Sequence, residues 1–251
     1  MPYFEYRDKS IFYQEYGQGD PVVFLHGNTA SSKMFELLMP LYAEKFRCIL
    51  IDFLGNGRSE RVESFSPDMW YDEALQTVTL IERLNCEKVA LIGTSGGAWA
   101  AVNAALERPE LVRAIIADSF DGRSLNDNFA ANLLSEREKA KADLQARRFY
   151  EWQQGADWEK VVDLDTEALL KCAEEKRPLF HKPLTELGVP ILLMGGKEDE
   201  MCRTDLEQEY REMARLIPNA AVHIFERGGH PAILSNAEEA AEAITEFIAD
   251  N

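Results

Sequence analysis

Short, almost wholly apolar runs recur along this chain, each followed by a turn and a segment of helical period. PVVFLHG at 21–27, RCILIDF at 47–53, KVALIG at 88–93, RAIIAD at 113–118, PILLMGG at 190–196 and AVHIF at 221–225 are such runs. A strand with one wet face alternates polar and apolar residues. A run that is apolar almost throughout is covered on both faces, the environment of a parallel sheet. Helical patterns fill the intervals at 33–44, 68–84, 97–107, 204–216 and 237–248. In the last, Ala237, Ala240, Ala241, Ile244, Phe247 and Ile248 recur at helical spacing with acids opposite. Strand–helix alternation predicts an α/β fold with a mainly parallel central sheet flanked by helices. YFEYRD and IFYQEYG near the start predict an antiparallel hairpin at its edge.

One interval breaks the rhythm. Residues 119–188 contain no convincing strand and predict a helical cap inserted between two sheet strands, with 1–118 and 189–251 forming the core domain. Ser135 and Glu138 have the spacing of a capping box, predicting a helix that starts there. Two further helical stretches are expected at 157–163 and 166–176. Phe149, Tyr150, Trp152 and Trp158 are expected mostly to pack the insertion onto the body.

GTSGG at 93–97 carries the chemistry. Leu-Ile-Gly closes a strand and Gly-Ala-Trp-Ala-Ala opens a helix, the context that gives G-x-S-x-G its meaning. Such a sharp turn holds a serine in strained backbone, and glycine neighbours let strand and helix approach closely. Ser95 then stands at a helix N-terminus, where free N–H groups favour developing negative charge. The alternative is a glycine turn whose serine merely caps the helix.

A serine hydroxyl needs a base to become a nucleophile. Of the four histidines, His230 in ERGGHPAIL follows the last strand in a glycine-flexed loop, where a base can reach Ser95. His26 ends a strand, His181 lies in the insertion, and His223 lies within a strand. The base needs an orienting carboxylate. Asp199 in GGKEDE follows a strand, with Glu198 and Glu200 beside it, and Asp118 at the end of an earlier strand is a rival. The chain order serine, acid, histidine favours Asp199. FLHGNTAS places backbone N–H groups after a strand, so those of Asn28 and Gly96 are expected to form the oxyanion hole.

The set HGN at 26–28, DFLGNGRS at 52–59, GTSGG at 93–97, Gly196–Asp199 and GGH at 228–230 resembles the α/β-hydrolase family of the capped type. The resemblance covers nearly the whole chain outside the insertion and implies a Ser95–His230–Asp199 triad. Serine at 95 departs from the dehalogenase and epoxide-hydrolase branches, which carry aspartate there. The insertion's length and helix pattern resemble the valacyclovirase-like esterases. Those carry an acidic residue after the serine for an amine-bearing substrate; here that position is Gly96.

The function expected is a serine hydrolase of carboxylesterase type, free of metal and cofactor, acting on a small-molecule ester. Amidase or aminopeptidase, thioesterase and carbon–carbon bond hydrolase chemistry use the same triad, and a non-catalytic receptor could keep the same fold. A net charge of −17, from 27 basic and 44 acidic residues spread along the chain, argues against nucleic acid or an anionic membrane as partner. No basic cluster flanks HGN, GTSGG or GGH, so a substrate without a strong anionic group is expected; Arg147 and Arg148 are read as solvent-facing. Cys48, Cys86, Cys172 and Cys202 are scattered without metal-ligand spacing, and the first residues lack an export pattern. A cytoplasmic location is the expectation. No apolar run reaches the ~18 residues a membrane span requires.

Overall fold

The computed structural model describes residues 2–125 and 128–251. Its strands are β1 (Tyr3–Tyr6), β2 (Lys9–Tyr16), β3 (Asp20–Leu25), β4 (Phe46–Ile51), β5 (Val89–Thr94), β6 (Val112–Asp118), β7 (Ile191–Gly196) and β8 (Ala220–Phe225). Its helices are α1 (Lys33–Glu36), α2 (Met39–Tyr42), α3 (Met69–Leu84), α4 (Gly96–Glu107), α5 (Phe129–Ala142), α6 (Leu144–Gln154), α7 (Trp158–Glu174), α8 (Leu206–Leu216), α9 (Ala232–Ser235) and α10 (Ala237–Asp250). The strands form one sheet in the order β1-β2-β4-β3-β5-β6-β7-β8. β1 and β2 form the expected hairpin, and β2 runs antiparallel to β4; the other pairings are parallel. Arg7 and Asp8 both take positive φ in the hairpin turn, whose twist suits the flanking strands.

The apolar strands β3 to β7 are largely buried on both faces because helices cover both; β8, at the edge of the sheet, stays partly open. Val22 and Phe24 point into one layer with Phe35, Tyr42 and the α10 residues Ala240 and Ile244. Val23 and Leu25 point into the other with Trp70, Ala74 and the alanines of α4. That alternation is the strand period of two acting on a sheet with no wet face. α4 is buried along almost its whole length, and its small residues let it lie close to the sheet.

Four local expectations change. The helix expected over 33–44 is two short pieces, because Pro40 lacks the N–H that would continue the first. Ser135 does not start a helix: α5 begins at Phe129, and the favourable helix formers Ala130, Ala131, Leu133 and Leu134 carry it through Ser135. The cap lies further on, at Asp143, whose carboxylate accepts from the N–H groups of Gln145 at 2.9 Å and Ala146 at 2.8 Å to open α6. The two helices expected at 157–163 and 166–176 are the single helix α7. Within the segment between β6 and β7, Tyr150 and Trp158 stack at 5.5 Å around Val162 in a small core of its own rather than on the body. Phe149 and Trp152 stay largely exposed, as do Arg147 and Arg148. Among the described residues no helix is long and apolar enough to cross a membrane.

α4 also approaches β3 closely. A methyl group on Gly97 would lie 2.2 Å from the Leu25 carbonyl oxygen and 2.7 Å from that of His26, both backbone atoms that cannot swing aside. Gly97→Ala is expected to destabilise by about 1–3 kcal/mol or more, lowering Tm by roughly 2–12 °C. Gly188→Ala, with nothing within 4 Å, is expected to leave Tm nearly unchanged. Thermal unfolding followed by circular dichroism checks the contrast; equal Tm values would contradict the close approach.

Candidate active site

The carboxyl ends of β3, β5, β6 and β7 meet along one edge of the sheet, where open α/β sheets bind ligands. β5 ends at Thr94 and α4 begins at Gly96, so Ser95 alone turns the chain. It does so at φ 54 and ψ −123, a conformation that costs on the order of 1–3 kcal/mol in a residue other than glycine. Its backbone N–H donates to the Asp118 carbonyl at 2.8 Å, which locks the turn. The Ser95 hydroxyl makes no capping bond to α4, so the simple capping role is excluded. Gly96 opens α4, and Asn28 stands across from it in the loop that follows β3.

His230 and Asp199 are brought together. Nδ1 of His230 donates to Asp199 Oδ2 at 2.8 Å, and the other carboxylate oxygen accepts from the N–H groups of Met201 at 3.0 Å and Cys202 at 3.3 Å. Burial works against charging His230, but the hydrogen bond and charge of Asp199 outweigh it and raise the imidazole pKa. Burial likewise opposes the Asp199 anion, and the same bond, with the N–H donors, holds its pKa below the ordinary carboxylate value. Glu198 turns to the Gly228 N–H instead, and Glu200 is exposed.

Asp118 is fully buried and has other partners. Its carboxylate accepts from the Thr94 hydroxyl, from Ser119 Oγ at 3.1 Å and from the Ile233 N–H at 3.3 Å. Burial pushes its pKa to about 6, against those hydrogen bonds. Its bonds tie the ends of β5 and β6 to the segment just after His230. His26 is also structural: its Nε2 accepts from the Phe53 N–H at 3.0 Å, leaving Nδ1 to donate to the Gly27 carbonyl at 2.8 Å. Burial lowers its pKa, which keeps it neutral. His181 stacks on Tyr71 at 3.5 Å and pairs with Asp68, and His223 lies along β8.

Ser95, His230 and Asn28 line one cavity of about 490 Å³, walled on the core side by Trp70, Trp99 and Phe120 and on the other by α5 to α7. The profile of the alpha/beta hydrolase family matches residues 22–243 of the chain. The chain belongs to that family. Among curated relatives it is similar to a 2-hydroxy-6-oxo-6-(2'-aminophenyl)hexa-2,4-dienoic acid hydrolase of Metapseudomonas resinovorans, 24% identical over 94% of this chain and 86% of the relative. Among solved structures it resembles a meta-cleavage product hydrolase of Pseudomonas fluorescens IP01, with TM-score 0.79, 21% identity and coverage of 97% and 95%. It also resembles an esterase of Exiguobacterium antarcticum, with TM-score 0.74, 21% identity and 98% of each chain covered. The alpha/beta hydrolase fold is thus shared with enzymes whose names describe different bonds.

Sequence inspection misses the buried cation of this alpha/beta hydrolase cavity. Arg137 of α5 lines it, buried. Its guanidinium donates to Asp165 Oδ1 of α7 at 3.1 Å and to the Tyr150 hydroxyl at 3.0 Å. The signal was helical spacing: Arg137 follows the buried Leu133 by four, and Asp165 shares a face with Val161 and Leu169. Cys202 Sγ lies 3.9 Å from His230 Nδ1, and with Asp199 these potential ligand atoms fall within 4.8 Å of one another. Burial raises the Cys202 thiol pKa, and metal binding would require the thiolate.

The His230 shift has a checkable sign. In a proton NMR titration the His230 midpoint is expected above the ordinary histidine value of 6.5. In Asp199→Asn it is expected to move down, because burial then acts without its counterweight. A midpoint unchanged by that substitution would place the source of the shift elsewhere.

Proposed function

We propose that the protein is a serine hydrolase cleaving a small, neutral carboxylic ester through an acyl-enzyme. The observation that carries this reading is the 2.8 Å bond between His230 and buried Asp199, with His230 lining the cavity that Ser95 enters. Ser95 Oγ attacks the ester carbonyl as His230 takes its proton. The carbonyl oxygen becomes an anion facing the backbone N–H groups of Asn28 and Gly96, the latter at a helix start where N–H groups lack intrahelical partners. The intermediate collapses, His230 returns the proton to the leaving alkoxide, and water activated by the same imidazole releases the acid. Asp199 fixes the imidazole tautomer. Residues 119–188 act as the lid that shapes the acyl and alcohol sites. No step needs a metal or cofactor. Four free thiols agree with a reducing, cytoplasmic setting.

Charge supports a neutral substrate. The Arg137 guanidinium in the wall is already matched by Asp165, and Glu136 lies beside it in the same wall. A substrate carboxylate there would meet no uncompensated cation, and burying it unpaired costs several kcal/mol. The helical insertion supports the capped-esterase version, the type of the valacyclovirase-like enzymes. Gly96 lacks the acidic group with which those enzymes hold an amine. A second reading, carbon–carbon bond hydrolysis, is favoured by the dienoic acid hydrolase among the curated relatives.

Ser95→Ala is expected to cut kcat on p-nitrophenyl acetate by roughly 10³–10⁶-fold with little change in Tm. A fluorophosphonate is expected to label Ser95 and no other serine. Short p-nitrophenyl esters are expected to exceed the same ester bearing a terminal carboxylate in kcat/KM. Turnover of 2-hydroxy-6-oxo-6-(2'-aminophenyl)hexa-2,4-dienoic acid with negligible ester cleavage would establish the second reading instead.

The two buried aspartates are expected to separate in kinetics. Asp199→Asn should lose about 10⁴-fold in kcat through the wrong tautomer, and Asp118→Asn much less. Below the His230 pKa the imidazole is protonated and cannot accept the serine proton. Wild-type kcat/KM should therefore rise with pH through a value above 6.5. A larger loss from Asp118→Asn would reassign the acid.

A further inference from the structure

The Asn28 carboxamide is held from two sides. Its Oδ1 accepts from Trp70 Nε1 at 3.0 Å, and its Nδ2 donates to Asp165 Oδ2 at 2.7 Å. Asp165 comes from α7, 137 residues along the chain, and its carboxylate is 3% exposed. The same carboxamide covers Gly96. A methyl group at 96 would stand 2.2 Å from Asn28 Oδ1 and 2.7 Å from Trp70 Nε1. The space a side chain after Ser95 would occupy is therefore filled by a side chain from the opposite loop. One carboxamide sits between the two backbone segments that carry the proposed oxyanion donors.

We propose that Asp165 is a positioning residue: through Asn28 it makes helix α7 of the insertion part of the oxyanion hole. This rests on the hydrolase reading above. Arg137 completes the device. Burial opposes the Asp165 anion, and the Arg137 charge and the Asn28 amide work against that penalty, so the carboxylate is held between them. A side chain that touches no substrate thereby fixes the loop that does. The insertion then contributes to the rate of bond cleavage as well as to substrate choice. An oxyanion donor is worth about 10²–10³-fold in kcat, so loosening its support should cost a part of that.

The experiment avoids leaving a buried charge alone, which would destabilise the fold for an unrelated reason. In an Arg137→Met background, Asp165→Asn keeps an acceptor for Asn28 Nδ2 and Asp165→Leu does not. The Asn form is expected to exceed the Leu form in kcat on p-nitrophenyl acetate by about 10- to 100-fold, with KM within about 3-fold. A trifluoromethyl ketone reports on the same feature: Ser95 Oγ adds to its carbonyl carbon, the serine proton passes to His230, and the carbonyl oxygen becomes the oxyanion. Its affinity should fall by the factor seen in kcat, and that of the product acid should not.

Trp70→Phe probes the other side and keeps a ring stacked on Trp99, so it serves if the leucine form does not fold. It should lower kcat and ketone affinity together, and combined with Asp165→Leu the losses should be less than multiplicative. Equal kcat and ketone affinity in the Asn and Leu forms, or a loss confined to KM, would overturn the proposal. So would an unaffected Trp70→Phe if that is the form measured. Fluorophosphonate labelling of wild-type Ser95 separates the two levels: without it the hydrolase reading falls, and with it only the role of Asp165 is in question.

Discussion

The site depends on a single strained residue. Ser95 must hold φ 54 between a strand and a helix, and it can only because the surrounding backbone leaves no alternative. Its N–H is bound by Asp118 of the neighbouring strand. α4 is drawn so close to the sheet that Gly93 and Gly97 touch backbone where any other residue would carry a side chain. α4 is buried along nearly its whole length, so the cost of the turn is spread over one of the best-packed helices in the molecule. Everything chemical follows from that geometry. The hydroxyl is lifted off the helix end, Gly96 opens the helix beside it, and the strand ends around it carry His230 and Asp199 in the loops that follow.

Two buried aspartates near one histidine illustrate how environment divides work between like groups. Asp199 receives two backbone N–H donors and the imidazole, and its pKa falls despite burial. Asp118 receives hydroxyls and one long N–H bond in a fully buried place, and its pKa rises to about 6. His230 Nδ1 is bonded to Asp199 at 2.8 Å, whereas the Asp118 carboxylate is bonded to Thr94, Ser119 and Ile233. Asp118 instead ties β5 and β6 to the chain after His230, and so helps to place that histidine.

The sheet and the elbow were legible in the sequence because both are local. Doubly covered strands read as continuous apolar runs, and G-x-S-x-G between strand and helix has few structural alternatives. Asp199 was legible only through chain order, since its neighbours Glu198 and Glu200 are chemically similar and a loop carries no periodic signal. The insertion was least legible. Ser135 has the spacing of a cap, but it lies within a run of good helix formers, and propensity summed over that run outweighed the local motif. Arg137 and Asp165 were hidden for another reason. Helical spacing marks each as lying on a buried face, but their pairing across two helices is tertiary and has no one-dimensional pattern. Asn28 lies in the loop after β3, as the sequence predicts, but what its side chain does depends on Trp70 and Asp165, which lie 42 and 137 residues away.

The hold of the insertion on the core is uneven, and this bears on what a lid can mean here. Gln153 accepts from the N–H and hydroxyl of Ser31 at 2.8 and 2.7 Å. Gln154 accepts from the Gly57 N–H at 2.8 Å and donates to the Ala30 carbonyl at 2.7 Å. Arg61 reaches the Gln154 carbonyl and pairs with Asp157 at 2.8 Å, and Asp165 holds Asn28. These bonds fasten the end of α6 and the start and middle of α7 to the loops at 28–33 and 55–61. Exchanging such a bond for water costs about 0.5–1.5 kcal/mol, and lifting those helices as a body breaks several at once. α5 is different: Leu133 and Arg137 are its only buried residues among those described, and Leu134 lies open to solvent. Arg137 is bonded to Asp165 of α7 and Tyr150 of α6, so α5 is fastened at one point and little elsewhere. The segment between β6 and β7 is therefore better understood as a fixed wall with one lightly held edge than as a door. Its rigid part is the part that touches the loop beside Ser95.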